Sequence, residues 1–390
     1  MDSDVPDSRP SANPDASCIN DGCLRAATWL GDFARDFLAF ELDDDVTIDN
    51  GYAVWAIRYW TDGRESLATV TLPLVDRPPA DGFHIVANNH GTTGLSDACA
   101  LTGTPAGAGL AGLFGARGMI GVASDYPGIG TEGAHPYLVA ESEARAALDS
   151  LRAARILARF TRTPVSARYA LVGLSQGGHA TLAAAKEHSL YAPELDVRAF
   201  AVTAPATMWE ESWRVGIDAD GPHLPYYAMV AWAWTQHYGW TGPPIWVSPT
   251  EIDTLMESAC LWDVGTGVTL FDGVGTEREA VFTPAFLEAF RSGVWGEYNA
   301  FEGWFRLNRI GPYTQTAPLR IYQGDADLVV PEASSRLLVE SLRAAGQSVE
   351  YVVVEGGTHV NVAFGFVSQA ELRTEESIAW IQERLDAPEE

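Results

Sequence analysis

Lysine is almost missing from this chain of 390 residues: Lys186 stands alone, so nearly all positive charge is arginine. With 52 acidic residues against 25 basic ones the net charge is −27. A surface of that sign repels phosphate backbones, so no nucleic-acid partner is expected, and anionic membranes are poor partners as well. Long apolar runs are missing too. No stretch approaches the roughly 20 apolar residues of a spanning helix, which excludes a transmembrane segment. Cysteine is scarce, at four, with no C-x-x-C and no histidine cluster, so no metal site is expected. The first seventeen residues (MDSDVPDSRPSANPDAS) lack both the basic start and the apolar run of a secretory leader and read as a disordered tail, 1–17. Yet the even cysteine number fits two disulfides better than four thiols, and therefore a secreted or periplasmic protein whose signal has been removed. Cys18 with Cys23 is the nearest pairing, which leaves Cys99 for Cys260.

What the chain does have is one stretch around which the rest is organised, Gly173-Leu174-Ser175-Gln176-Gly177. It reads G-x-S-x-G between a strand-like run, 168–172 (RYALV), and an Ala-rich helical run, 178–187 (GHATLAAAKE). A sharp strand-to-helix turn strains the serine backbone and needs glycine at its flanks, and it leaves Ser175 at a helix N-terminus beside free N–H groups. The competing reading is a Gly-rich turn with an incidental serine.

Elsewhere the pattern is that of alternating strands and helices, long enough for one large α/β domain plus an insertion or for two domains. Asp62-Gly63 joins two alternating runs, 51–60 and 66–75, as a hairpin. A strand at 83–88 runs into His90-Gly91-Thr92-Thr93-Gly94, where the N–H of Thr92 or Thr93 would face that of Gln176 across an oxyanion. After a strand at 119–124, Gly128 to Gly133 spells G-x-G-x-x-G, but Ala134-His135-Pro136-Tyr137 intervenes before a helix can begin, which argues against a dinucleotide and leaves no cofactor expected. A helix follows over 141–160 with Leu148, Leu151 and Ile156 toward the sheet, and a further strand lies at 197–203. Residues 209–310 break the alternation and carry most of the tryptophans. That length implies an inserted, mainly helical cap between core segments 18–208 and 311–390, its aromatics forming a small core of their own with some of them lining an acyl tunnel. Alternation resumes with a strand at 319–323, a helix at 333–345, a strand at 349–354 and a closing amphipathic helix at 374–385. Asp327 and His359 each fall just past a late strand. The order Ser175, Asp327, His359 suits a triad in which His359 takes the serine proton and Asp327 holds its tautomer. Asp325 is the alternative acid, with a turn cap as its plainer role, while His90 and His179 read as packing or supporting residues.

Taken together, the 90–94 loop with Cys99 nearby, Asp125-Tyr126-Pro127-Gly128-Ile129-Gly130, His135-Pro136-Tyr137-Leu138, Leu148-Asp149 with Arg152-Ala153-Ala154, and the elbow through His179 resemble the secretory lipases of the Candida antarctica lipase A type, from about Ala53 to His359. The resemblance implies an α/β-hydrolase fold with a helical cap, cofactor-free hydrolysis of carboxylic esters with an apolar acyl chain, and secretion. It also implies a Cys99–Cys260 bridge between oxyanion loop and cap. The chain departs from the fungal pattern in having its second cysteine pair at the N-terminal end, and in Gln176 and the threonine pair. Contact with a lipid interface, where it occurs, falls to the cap. An acyltransferase, a peptidase of the same fold and a non-catalytic binding protein are the rival readings; the first would use the same triad, the second suits an apolar cap poorly, and the third usually lacks a triad member.

Overall fold

The computed structural model describes residues 15–34, 49–207, 210–265, 267–364 and 372–388. The expected tail therefore lies outside the described residues except at its last three positions, as does the expected first residue of the insertion.

Among the described residues a nine-stranded sheet runs in the order β1-β2-β3-β5-β4-β6-β7-β8-β9. Its antiparallel flank is β1 (Leu24–Phe33), β2 (Gly51–Thr61) and β3 (Arg64–Leu74). Asp62 and Gly63 both take positive φ, the two-residue turn that matches strand twist, so the hairpin stands where its sequence placed it. β1 had no counterpart in the sequence pattern. It pairs with β2 through two register shifts, and such irregularities erase the period-2 alternation that would reveal a strand.

From β5 (Ile120–Ser124) through β4 (Phe83–Asn89), β6 (Val165–Leu174), β7 (Asp196–Thr203), β8 (Leu319–Gly324) and β9 (Val349–Val354) the strands are parallel. Alternate residues serve opposite cores: Tyr169, Leu171, Phe200 and Val202 join one, and Ala170, Val172, Ala199 and Ala201 the other. Helix α1 (Pro105–Gly115) packs beside β5 and was not expected from a segment so rich in glycine. Thr104 caps it with Pro105 in its first turn. The contact is close enough that a Cβ on Gly121 of β5 would sit 1.9 Å from the Ala111 carbonyl oxygen, so lack of side chains is what lets this helix touch the sheet.

Helix α2 (Ala140–Phe160) buries Leu148 and Leu151 as expected, but Ile156 is 37% exposed. Ile156 stands four residues after Arg152 and three before Arg159, which puts it on the helix's charged stripe, and Leu157 takes the buried place. Helix α3 (Gln176–Tyr191) follows β6 directly. Between β7 and β8 lie the helices of the insertion: α4 (Glu210–Ile217), α5 (Leu224–Tyr238), α6 (Pro249–Ser258), α7 (Leu270–Val274), α8 (Arg278–Val281), α9 (Pro284–Ser292) and α10 (Ala300–Asn308). They enclose a second core of Trp232, Trp234, Phe286, Phe290, Phe301 and Phe305, among others. Helices α11 (Glu332–Ala344) and α12 (Thr374–Asp386) complete the layers, the latter with Ile378 and Ile381 buried in a sheet-face core. No described helix is long and apolar enough to cross a membrane.

Both cysteine pairs are bridged, Cys18 to Cys23 and Cys99 to Cys260. The second joins the segment after β4 to the insertion, beside a hydrogen bond from the Leu261 N–H to the Thr93 carbonyl (2.9 Å).

Candidate active site

Strand register gathers the predicted residues on one edge. Asn89 lies opposite Gly173, Leu174 opposite Thr203, and Gly324 opposite Val354, so the loops leaving β4, β6, β8 and β9 emerge side by side. Ser175 is the first residue past β6 and has φ 57° and ψ −114°, outside the regions that side-chain-bearing residues favour. Three surrounding contacts hold it there: its N–H donates to the Thr203 carbonyl (3.0 Å), and its own carbonyl accepts from His179 (3.0 Å) and Ala206 (3.2 Å). The flanking glycines are required by close approach. A Cβ on Gly177 would lie 1.7 Å from the Asn89 carbonyl oxygen, and one on Gly173 would lie 2.1 Å from that of Gly177.

The loop after β4 passes directly beside the serine, Gly91 being placed so that a Cβ on it would be 3.7 Å from Ser175 Cβ. Thr92 is buried, with its hydroxyl 2.7 Å from the Tyr137 hydroxyl. Gln176 opens α3, where the backbone N–H has no acceptor within its own helix. Behind this loop, burial lowers the pKa of His90 and raises that of Asp125, whose Oδ1 lies 3.8 Å from His90 Nε2, and the Asp125 carboxylate also accepts from the Thr102 N–H at 2.9 Å.

The expected acid and base meet. His359 Nδ1 is 2.8 Å from Asp327 Oδ2, with the Asp327 side chain fully buried. Asp327 Oδ1 accepts from the N–H groups of Val329 (2.8 Å) and Val330 (2.9 Å), and Oδ2 also accepts from Gln323 Nε2 (3.1 Å). Those donors fix the direction of the carboxylate. Asp325 has the plainer task, accepting from the Gly356 N–H at 2.7 Å. Among the described residues no hydrogen bond joins His359 to Ser175 Oγ; the ring's bond is to Asp327.

Ser175 opens into a cavity of about 210 Å³. Tyr137, Leu138 and Ala206 line it from the core, Leu328 to Pro331 from the acid loop, and Trp213, His223, Tyr226 and Tyr227 from the insertion. Burial, and next the field of Asp327, push the Tyr226 hydroxyl up to about 12, so it stays a neutral hydrogen-bonding group. No group of His, Cys, Asp or Glu among the described residues could hold a metal ion. The G-x-G-x-x-G run is a loop whose glycines all have positive φ, and α2 starts only at Ala140, beyond Pro136, so no helix N-terminus receives a pyrophosphate there.

Residues 111–213, the segment holding α2 and the elbow, match the model of the secretory lipase family. The chain has the α/β-hydrolase fold, and the segment around its elbow is similar to secretory lipases. The class that goes with this match is carboxylic ester hydrolase. Among solved structures, a putative hydrolase of Legionella pneumophila is 24% identical with a TM-score of 0.78, over 94% of this chain and 100% of the other. The rice cell wall degrading esterase LipA of Xanthomonas oryzae is 21% identical with a TM-score of 0.74, over 93% and 98%. Candida antarctica lipase A in its closed state is 16% identical with a TM-score of 0.68, over 95% and 84%. At these identities the structures speak for the fold. No curated protein matches the chain in sequence.

The sequence reading missed Glu143 and Asn308, both fully or nearly fully buried beside the elbow helix. Their signal was faint: Glu143 is a charged residue at helical spacing from the buried alanines Ala140, Ala146 and Ala147.

Proposed function

We propose that the chain is a secreted serine hydrolase of carboxylic esters, with Ser175 as nucleophile, His359 as base and Asp327 as the residue that orients it. The observation that carries this reading is the Asp327–His359 hydrogen bond, its carboxylate fully buried, on the same sheet edge as a serine held in a strained turn at a helix N-terminus. With Nδ1 engaged by Asp327, the His359 Nε2 is left to accept the Ser175 proton as Oγ adds to the ester carbonyl. The backbone N–H groups of Gln176 and Thr92 are assigned to the oxyanion. The proton on Nε2 then passes to the leaving alcohol, and the acyl-enzyme is cleaved by water deprotonated at the same nitrogen. Contacts of this kind in a ligand-free site commonly tighten only with substrate, which accounts for the open Ser175–His359 gap.

Residues 209–310 act as a cap in this scheme, with Trp213, Tyr226 and Tyr227 forming the wall for an apolar acyl chain and the exposed Leu328 beside the mouth. Contact with a lipid interface is assigned to this face. Secretion is supported by the two disulfides, which persist in oxidising compartments.

The test is hydrolysis of p-nitrophenyl esters over a range of acyl lengths by wild type and Ser175→Ala. The expected result is turnover by wild type and a loss on the order of a thousandfold or more in the variant. An inert wild type, or an active Ser175→Ala, would sink the reading. The acyl-length optimum then places the enzyme between esterase and lipase.

A further inference from the structure

Glu143, in the first turn of α2, is a carboxylate with its side chain 1% exposed that the chemistry above does not use. Its Oε1 accepts from the Leu138 N–H (2.9 Å) and from Gln176 Nε2 (2.9 Å), and its Oε2 lies 2.6 Å from His179 Nδ1. His179 Nε2 is 3.0 Å from the Asn308 carbonyl oxygen, which can only accept, so that nitrogen carries a proton. A second proton lies on the bond between Nδ1 and Glu143. Glu143 is thus engaged at both oxygens, Oε1 by two N–H groups and Oε2 by the imidazole. The other proton of the Gln176 amide goes to His135 Nε2 (2.8 Å), while His135 Nδ1 donates to the Pro127 carbonyl (3.0 Å).

Two side chains of the first turn of α3, Gln176 and His179, thus end on one carboxylate from another helix, and His179 continues to the last residue of α10. Asn308 also returns to the core, its Oδ1 accepting from the Ala140 N–H at 3.0 Å, and its Nδ2 donates to the Tyr238 hydroxyl of α5 (3.0 Å). We propose that Glu143 is a positioning residue: through Gln176 and His179 its carboxylate fixes the first turn of the elbow helix, and with it the Gln176 backbone N–H, against the base of the cap. The inference rests on the reading of Ser175 as nucleophile and of that N–H as an oxyanion donor. Packing alone would hold α3 against α2, but it would not set the direction of an N–H. Two hydrogen bonds to side chains one helical turn apart do.

The experiment compares wild type, Glu143→Ala, Glu143→Gln and Gln176→Ala on a short soluble p-nitrophenyl ester, well below each protein's unfolding temperature. Glu143→Ala is expected to lower kcat about 10- to 100-fold with KM changed by no more than about threefold, as for a displaced transition-state donor. Glu143→Gln keeps an acceptor for Gln176 and offers an N–H to a neutral His179, so it should recover most of the lost rate. Gln176→Ala keeps the backbone N–H and strands no buried charge, so it remains a test if Glu143→Ala does not fold, and a loss in kcat of about tenfold is expected. A folded Glu143→Ala or Gln176→Ala with wild-type kcat overturns the inference, and so does a Glu143→Gln as slow as Glu143→Ala. A wild type that hydrolyses no ester, or whose Ser175 takes up no fluorophosphonate, fails the underlying reading instead, which separates the two failures.

Discussion

The α/β core and the inserted cap bury their residues in different ways. Around the sheet, buried polar side chains are frequent, among them Asn88, His90, Asp125, Glu143, Asp149, His179 and Gln323, and many answer a named partner. In the cap, the buried polar side chains among the described residues are Thr235 and Asn308, and the interior is filled by aromatic rings in edge and stacked contact. Hydrogen bonds fix where an atom sits, whereas ring packing fixes how much space is left. Under the proposed function, the core then holds the chemistry in place and the inserted helices shape what reaches it.

The sharpest way to test that contrast is in the core. Asp327→Asn is expected to lower kcat/KM of ester hydrolysis on the order of 10⁴-fold by disturbing the His359 tautomer, while Asp325→Asn, which touches only the Gly356 N–H, should cost less than about tenfold. Equal losses in the two variants would remove Asp327 from its role. Replacing Cys99 and Cys260 together by serine unfastens core from cap. With a sequence separation of 161, the chain-entropy model puts the loss near 5 kcal/mol, read by denaturant unfolding, with reduction of the wild type giving the same direction. In the cap, Phe301→Ala opens a hole among Phe286, Trp295 and Trp304 and should cost about 3–5 kcal/mol. Its kinetic signature should be a raised KM more than a lowered kcat; a change confined to kcat would mean that the cap takes part in positioning after all.

The smallest effect is one of pH. Burial holds the His135 pKa down to about 3, against 6.5 for the free side chain. Between those values the unfolded chain binds a proton that the folded chain does not, so this stability is fully present above about pH 6.5 and is lost as pH falls toward 3. By about pH 4.5 the loss is on the order of 3 kcal/mol. Denaturant unfolding of wild type and His135→Asn at neutral and acid pH checks it: the variant should show a flatter dependence, and parallel curves would contradict the buried neutral ring.

Much of this was legible from local pattern. The Asp62-Gly63 turn, the elbow and the order of its strand and helix depend on residues within a few positions of one another, and the backbone conformations they require are ones that few other residues allow. The preference for Asp327 over Asp325 rested on the offset from β8, and His359 hydrogen-bonds to Asp327. Other elements were hidden because their cause is distant. Helix α1 exists despite its glycines because β5 presents Gly121 to it, and Ile156 points outward because α2 is buried on more than one side, so that its exposed face is the arginine stripe.

The sequence by itself determined the fold class and the candidates for nucleophile, acid and base, since spacing along strand-turn-helix units sets these. Only the tertiary structure decided that Glu143, Gln176, His179 and Asn308 form one connected group. Those bonds span 33, 36 and 129 positions, and hydrogen-bond direction across such separations is set by how helices pack on a sheet, which no local pattern encodes.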